Sequence, residues 1–141
     1  MDERMFNMQE ITLKATTDNL STVTGFIDGI LEENNCPMAI QMQVDISLEE
    51  IFVNIAHYAY APDEGDATIR CGVEDNVLTI EFIDSGKPFD PLKKPDPDVT
   101  LSAEERKIGG LGIYMVKNYM DSISYEYIDN KNKLVIVKKL G

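Results

Sequence analysis

The sequence predicts an α/β two-layer sandwich, a mixed but mostly antiparallel sheet with helices on one face. Three observations carry this. Alternating apolar runs at 68–73 and 77–84, and again at 123–128 and 133–139, are joined by short polar turns, which makes two hairpins. Stretches at 20–31, 38–58 and 110–120 repeat apolar residues at helical spacing. Amphipathic helices need an apolar surface to cover, and one face of an antiparallel sheet supplies it.

In chain order, Ile11-Thr12-Leu13-Lys14 alternates as a half-buried strand does. Thr17 or Asp18 is placed to cap the helix that follows. That helix carries Leu20, Val23, Ile27, Ile30 and Leu31 on one face and ends near Asn34-Asn35, before Pro37. The second helix has Val44, Leu48, Ile51 and Ile55 as its ridge. Glu50 and Asn54 are four residues apart on it and point the same way, beside the apolar ridge. Pro62 to Asp66 is a turn. In the strand 77–84, Val77, Thr79, Glu81 and Ile83 face one way and Leu78, Ile80 and Phe82 the other. Asp84 stands at the strand's exit, where a side chain can project into a site. After the helix at 110–120 comes the last hairpin, with 129–132 as its turn.

Composition bounds the function. A chain of 141 residues with 43% hydrophobic content is one domain, 1–141, with a real core. No apolar run approaches the roughly 18–20 residues of a membrane span. The first residues lack the form of a signal peptide. Two cysteines, Cys36 and Cys71, have no metal-ligand spacing, which points to reduced thiols and a cytoplasmic protein. A net charge of −12 argues against direct contact with nucleic acid, whose phosphates require clustered Lys and Arg.

One stretch matches no simple element. It opens with Asp84-Ser85-Gly86-Lys87-Pro88-Phe89-Asp90-Pro91 and closes with Gly109-Gly110-Leu111-Gly112-Ile113 leading into a helix. Between them lies a proline-broken polar segment, with prolines at 88, 91, 95 and 97. Connections of this length are usually functional or disordered. Glycines allow a backbone to approach a ligand, and a helix N-terminus offers free N–H groups to phosphate. The segment at about 87–108 therefore reads as a lid over a nucleotide site. The glycine cluster is neither a Walker A loop nor a dinucleotide fingerprint.

The order of the motifs is the specific part. A helix with Glu-x-x-x-Asn precedes a strand ending in Asp-x-Gly-x-Pro-Phe-Asp-Pro, then the lid, then Gly-Gly-Leu-Gly-Ile. This resembles the nucleotide-binding domain of the GHKL superfamily, the Bergerat-type ATP-binding fold of sensor histidine kinases, type II topoisomerases and an ATP-dependent chaperone. The Pro-Phe-Asp-Pro after Asp84 and the small size resemble the anti-sigma-factor serine/threonine kinases. The resemblance covers about residues 5–140. It implies ATP and Mg²⁺ as cofactors, with Asn54 holding Mg²⁺ and Glu50 as general base toward a serine hydroxyl. It implies Asp84 as the adenine reader, with Gly86 letting the chain lie close to the base. Gly109, Gly110, Leu111 and Gly112 then contact the phosphates.

Some positions depart from that pattern. His57-Tyr58-Ala59 stands where the family often has His-Ala-Tyr, and nothing pairs His57 with a nucleophile. Asn132-Lys133-Leu134 stands where a Gly-Thr often lies near adenine. Ile108 occupies the place of an arginine that contacts partners in some relatives, with Arg106 two residues earlier.

The function so implied is transfer of the ATP γ-phosphate to a Ser/Thr of an anti-sigma-factor antagonist, in a partner-switching system. The partners implied are that antagonist and a sigma factor, with no membrane, and the assembly is a homodimer as in many relatives. The alternative is a non-catalytic module in which ATP gates capture of a partner protein. A detached histidine kinase domain fits less well, because no helical hairpin with a phosphoacceptor His precedes the domain.

Overall fold

The computed structural model describes residues 8–93 and 110–141, and for Gly110 and Leu111 the backbone alone. The strands are β1 (Gln9–Lys14), β2 (Asp66–Glu74), β3 (Val77–Asp84), β4 (Ser122–Ile128) and β5 (Lys131–Lys139). The helices are α1 (Leu20–Glu33), α2 (Met38–Asn54) and α3 (Gly110–Tyr119). The sheet runs β1-β2-β3-β5-β4. Expected to be mixed, it is antiparallel at every described pairing.

Two tight turns set the register. Asp75 and Asn76 link β2 to β3 with φ of 53° and 63°, and Asp129 and Asn130 link β4 to β5 with φ of 54° and 62°. Asp and Asn tolerate this left-handed backbone, and such turns match the twist of the strands they join. The second turn therefore spans two residues rather than the expected 129–132. Asn132 consequently lies inside β5, directly opposite Asp84.

The helix boundaries also differ from expectation. Neither Thr17 nor Asp18 caps α1. A 3-10 turn at Thr17–Asn19 leads into the helix, and no side-chain cap bond forms at Asn19. The Asn19 amide instead donates to the Lys14 carbonyl at 2.8 Å, which pins the chain as it leaves β1. The helix expected over 38–58 is α-helical only to Asn54. It widens into a π turn over Ile55–Ala59. Such turns recur at functional sites, where the extra residue re-aims the side chains that follow.

Alternation along β3 places Leu78, Ile80, Phe82 and Asp84 on the helix-covered face. Val23, Ile27 and Leu31 of α1, and Val44, Leu48, Ile51 and Phe52 of α2, join that face in one core. Leu20 and Ile55, expected on the buried ridges, are partly buried against it. On the other face Glu81 is held between Arg70 at 3.5 Å and Lys133 at 3.3 Å, each on a neighbouring strand.

The α1–α2 contact contains a carboxyl pair. Asp28 and Asp45 face one another, and each has one buried oxygen with no hydrogen-bond partner. Burial, then a hydrogen bond and the charge of Asp28, push Asp45 from 3.8 up to about 7. The charge of Asp45 in turn adds to the burial that raises the Cys36 thiol.

A raised acid favours the folded state where folded Asp45 keeps a proton that the unfolded chain has lost. This contribution is full below the unfolded value of 3.8 and is lost as pH rises toward about 7. Asp45→Asn removes the titration. Its urea midpoint is expected to decline less than that of wild type between pH 4 and 7. Equal slopes for the two proteins would contradict the pairing.

Candidate nucleotide-binding site

A cleft with about 490 Å³ of empty space opens where the C-terminal end of α2 crosses the ends of β3 and β5. Its wall is apolar at Ile51, Ile55, Phe82, Ile113 and Leu134, and polar at Asn54, Asp84 and Asn132. That is the make-up of a small-molecule site, with apolar walls and few placed polar groups.

Asp84 is the last residue of β3 and stays on the helix side, so it is only 6% exposed. Burial raises its pKa, while hydrogen bonds from Asn132 and the Gly86 N–H act in the opposite direction. Both bonds fall on Oδ1, at 2.9 Å from Gly86 and 3.0 Å from Asn132. Neither bond uses Oδ2, and Asp84 lines the cleft. Asn132 is equally buried, at 6%.

The chain after Asp84 is pinned to the π turn. A Cβ at Gly86 would lie 2.2 Å from the Ala59 carbonyl oxygen, a contact that no side chain tolerates. The Lys87 N–H donates to that same carbonyl at 2.9 Å. Tyr60 braces the segment from the other side. Its hydroxyl accepts from the Ser85 N–H at 2.7 Å and donates to the Asp66 carbonyl at 2.6 Å. Farther on, the Phe89 N–H donates to Asn132 Oδ1 at 3.1 Å and to the Tyr125 hydroxyl at 3.2 Å. A 3-10 turn follows at Pro91–Lys93.

The Glu-x-x-x-Asn helix and the glycine motif meet in space. Asn54 lines the cleft, and Glu50 lies one turn earlier on α2. Gly112, in the first turn of α3, lies against Glu50. A Cβ there would come 2.2 Å from Glu50 Oε2. Gly110 begins α3. Gly109, Arg106, Ile108 and the expected lid beyond residue 93 lie outside the described residues, as does the Leu111 side chain. His57 is exposed, with its ring edge-on to that of Tyr58.

Sequence reasoning missed Asn132 and Tyr125. The readable signal was the Asp129-Asn130 pair. Taken as a two-residue turn, it moves Asn132 out of the turn and opposite Asp84.

These residues fit a nucleotide. The Asp84 carboxylate suits an exocyclic amine, and the apolar walls suit a flat base. The Asn54 amide oxygen is a hard ligand suited to Mg²⁺. Among the described residues no cluster of three His, Cys, Asp or Glu could hold a metal unaided.

The family model for the histidine kinase-like ATPase domain matches residues 13–139. The chain belongs to the histidine kinase-like ATPase domain family. An anti-sigma F factor of Clostridium acetobutylicum is 28% identical over 140 residues, covering 94% of this chain and 93% of the relative. One from Caldanaerobacter subterraneus subsp. tengcongensis is 25% identical over 133 residues, with the same coverage. A serine-protein kinase RsbW of Bacillus cereus is 37% identical over 82 residues, covering 55% of this chain and 51% of the kinase. In solved structures the fold recurs in the RsbU and RsbW domains of Rv1364c from Mycobacterium tuberculosis. There the TM-score is 0.67 at 15% identity, over 94% of this chain and 32% of that longer one. As a member of this ATPase family the chain uses ATP. Among the described residues no helix is long and apolar enough to cross a membrane.

The two glycine contacts differ in what must yield. Gly86→Ala drives a methyl into backbone, whereas Gly112→Ala meets the mobile end of a side chain. Gly86→Ala is expected to cost about 1–3 kcal/mol by urea denaturation, and Gly112→Ala less. Equal stability of Gly86→Ala and wild type would contradict the close approach.

Proposed function

We propose that the protein is an anti-sigma regulatory factor with serine/threonine kinase activity. It transfers the γ-phosphate of ATP to a hydroxyl on an antagonist protein, and binds a sigma factor according to the antagonist's phosphorylation state. The observation that carries this reading is the meeting of Glu50, Asn54 and Gly112 beside the Asp84 cleft. Full-length similarity to anti-sigma F factors, and partial similarity to RsbW serine-protein kinases, support it.

Bound Mg-ATP supplies the transferable phosphoryl group and the metal charge that offsets its oxygens. Asp84 selects the base, since an ionised carboxylate accepts from the adenine amine and repels the carbonyl that guanine carries there. Asn54 would hold the metal by its side-chain oxygen, and the metal would supply positive charge to the phosphates. The N-terminal turn of α3, which begins at Gly110, offers backbone N–H groups to them. This local donor set works against the overall charge of −12. Glu50 takes the proton as the substrate hydroxyl oxygen bonds to the γ-phosphorus and the bond to the β–γ bridging oxygen breaks. Gly112 leaves room for the Glu50 carboxylate.

The test is phosphate transfer from labelled Mg-ATP to a cognate antagonist, comparing wild type with Glu50→Gln. Glu50→Gln is expected to bind ATP as wild type does and to transfer about 10²–10⁴-fold more slowly. Nucleotide binding with no transfer by either protein would instead favour a module in which ATP gates partner capture.

A further inference from the structure

The side-chain amide of Asn132 is saturated. Its Nδ2 donates to Asp84 Oδ1 at 3.0 Å and to the Lys87 carbonyl at 2.8 Å, with a longer contact to the Gly86 carbonyl at 3.5 Å. Its Oδ1 accepts from the Phe89 N–H at 3.1 Å and from the Tyr125 hydroxyl in a short contact. Two donors and two acceptors are the full capacity of an amide. The partners also settle its orientation. A carboxylate and a carbonyl only accept, and a backbone N–H only donates, so a flipped amide would oppose every partner but the Tyr125 hydroxyl.

No other side chain fills this position. Asp has no donor for the Lys87 carbonyl and would set a second carboxylate against Asp84. Ser and Thr have a single donor for two acceptors. Gln is longer by one methylene in a place that is only 6% exposed. One side chain therefore joins the base-reading carboxylate, the backbone that follows it and the β4–β5 hairpin.

The geometry points to Asn132 as the residue that sets base specificity by position: it holds Asp84 by Oδ1 in the wall of the cleft and roots residues 87–89 against β4 and β5. This rests on the nucleotide reading of the cleft. Asn132 acts through Asp84, so its signature is the preference between bases and not affinity alone. When Asn132 is removed, Asp84 keeps only the Gly86 N–H on Oδ1 and is free to turn.

The experiment titrates ATP and GTP separately into the full chain for wild type, Asn132→Ala and Asn132→Asp. Circular dichroism checks the fold, and Tyr125→Phe stands in if either Asn132 variant fails to fold. Wild type is expected to prefer ATP. Both Asn132 variants are expected to narrow that preference about tenfold or more, the scale of one lost bond to a charged group. Tyr125→Phe narrows it less, since Asn132 then keeps its bonds to Asp84, Lys87 and Phe89. An unchanged preference in every folded variant, with wild type still selecting ATP, would overturn the role of Asn132 alone. A wild type that binds neither nucleotide would overturn the nucleotide reading with it. Equal binding of both nucleotides by wild type would overturn the specificity role, leaving no preference to set.

Discussion

The buried hydrogen bond between Asp84 and Asn132 is the constraint on which the site depends. Two side chains on neighbouring strands, each nearly removed from water, meet at paired positions of β3 and β5. A carboxylate in such a place is costly unless its oxygens are engaged. Here one oxygen is engaged twice by the protein, and the residue lines the cleft. A shift of one residue in the β3–β5 register would send Asn132 to the opposite face of the sheet and leave Asp84 without this partner. The tight turns at Asp75-Asn76 and Asp129-Asn130 end β2–β3 and β4–β5 at defined residues and help hold that register.

The helical layer meets this sheet end through close backbone approach. α2 stops being an α-helix at Asn54, and the π turn that follows carries the Ala59 carbonyl to Gly86 and Lys87. α3 packs on α2 so that Gly112 abuts Glu50. Glycine is required at 86 because backbone cannot move aside there. At 112 it keeps a carboxylate in place. These two glycines serve different ends, although both were first read as ligand contacts.

The fold was largely legible because the signals that specify it are periodic and local. The alternation in 77–84 and the helical spacing from Leu20 to Leu31 each describe one element and one buried face. Within the site, Asp84, Asn54 and Glu50 were legible from motif order, and the structure places them about one region. What escaped depends on contacts between elements. The π turn over Ile55–Ala59 has no composition of its own, and Asn19 was spent on the Lys14 carbonyl instead of on a helix cap. Asn132 was hidden because Asn is a turn residue by propensity, and only the register shows it inside a strand. Its bonds reach residues 7 to 48 positions away, beyond the range of any local pattern.

The measurement that tests the account most directly is a calorimetric titration of ATP into wild type and Asp84→Asn, each with and without Mg²⁺. The account predicts that wild type binds and that Asp84→Asn loses about tenfold or more in affinity, because a neutral amide replaces the charged acceptor. The Mg²⁺ dependence should survive the substitution, since Asn54 belongs to α2 and Asp84 to β3. Equal ATP affinity in the two proteins would contradict the reading of this cleft as a base-selective nucleotide site.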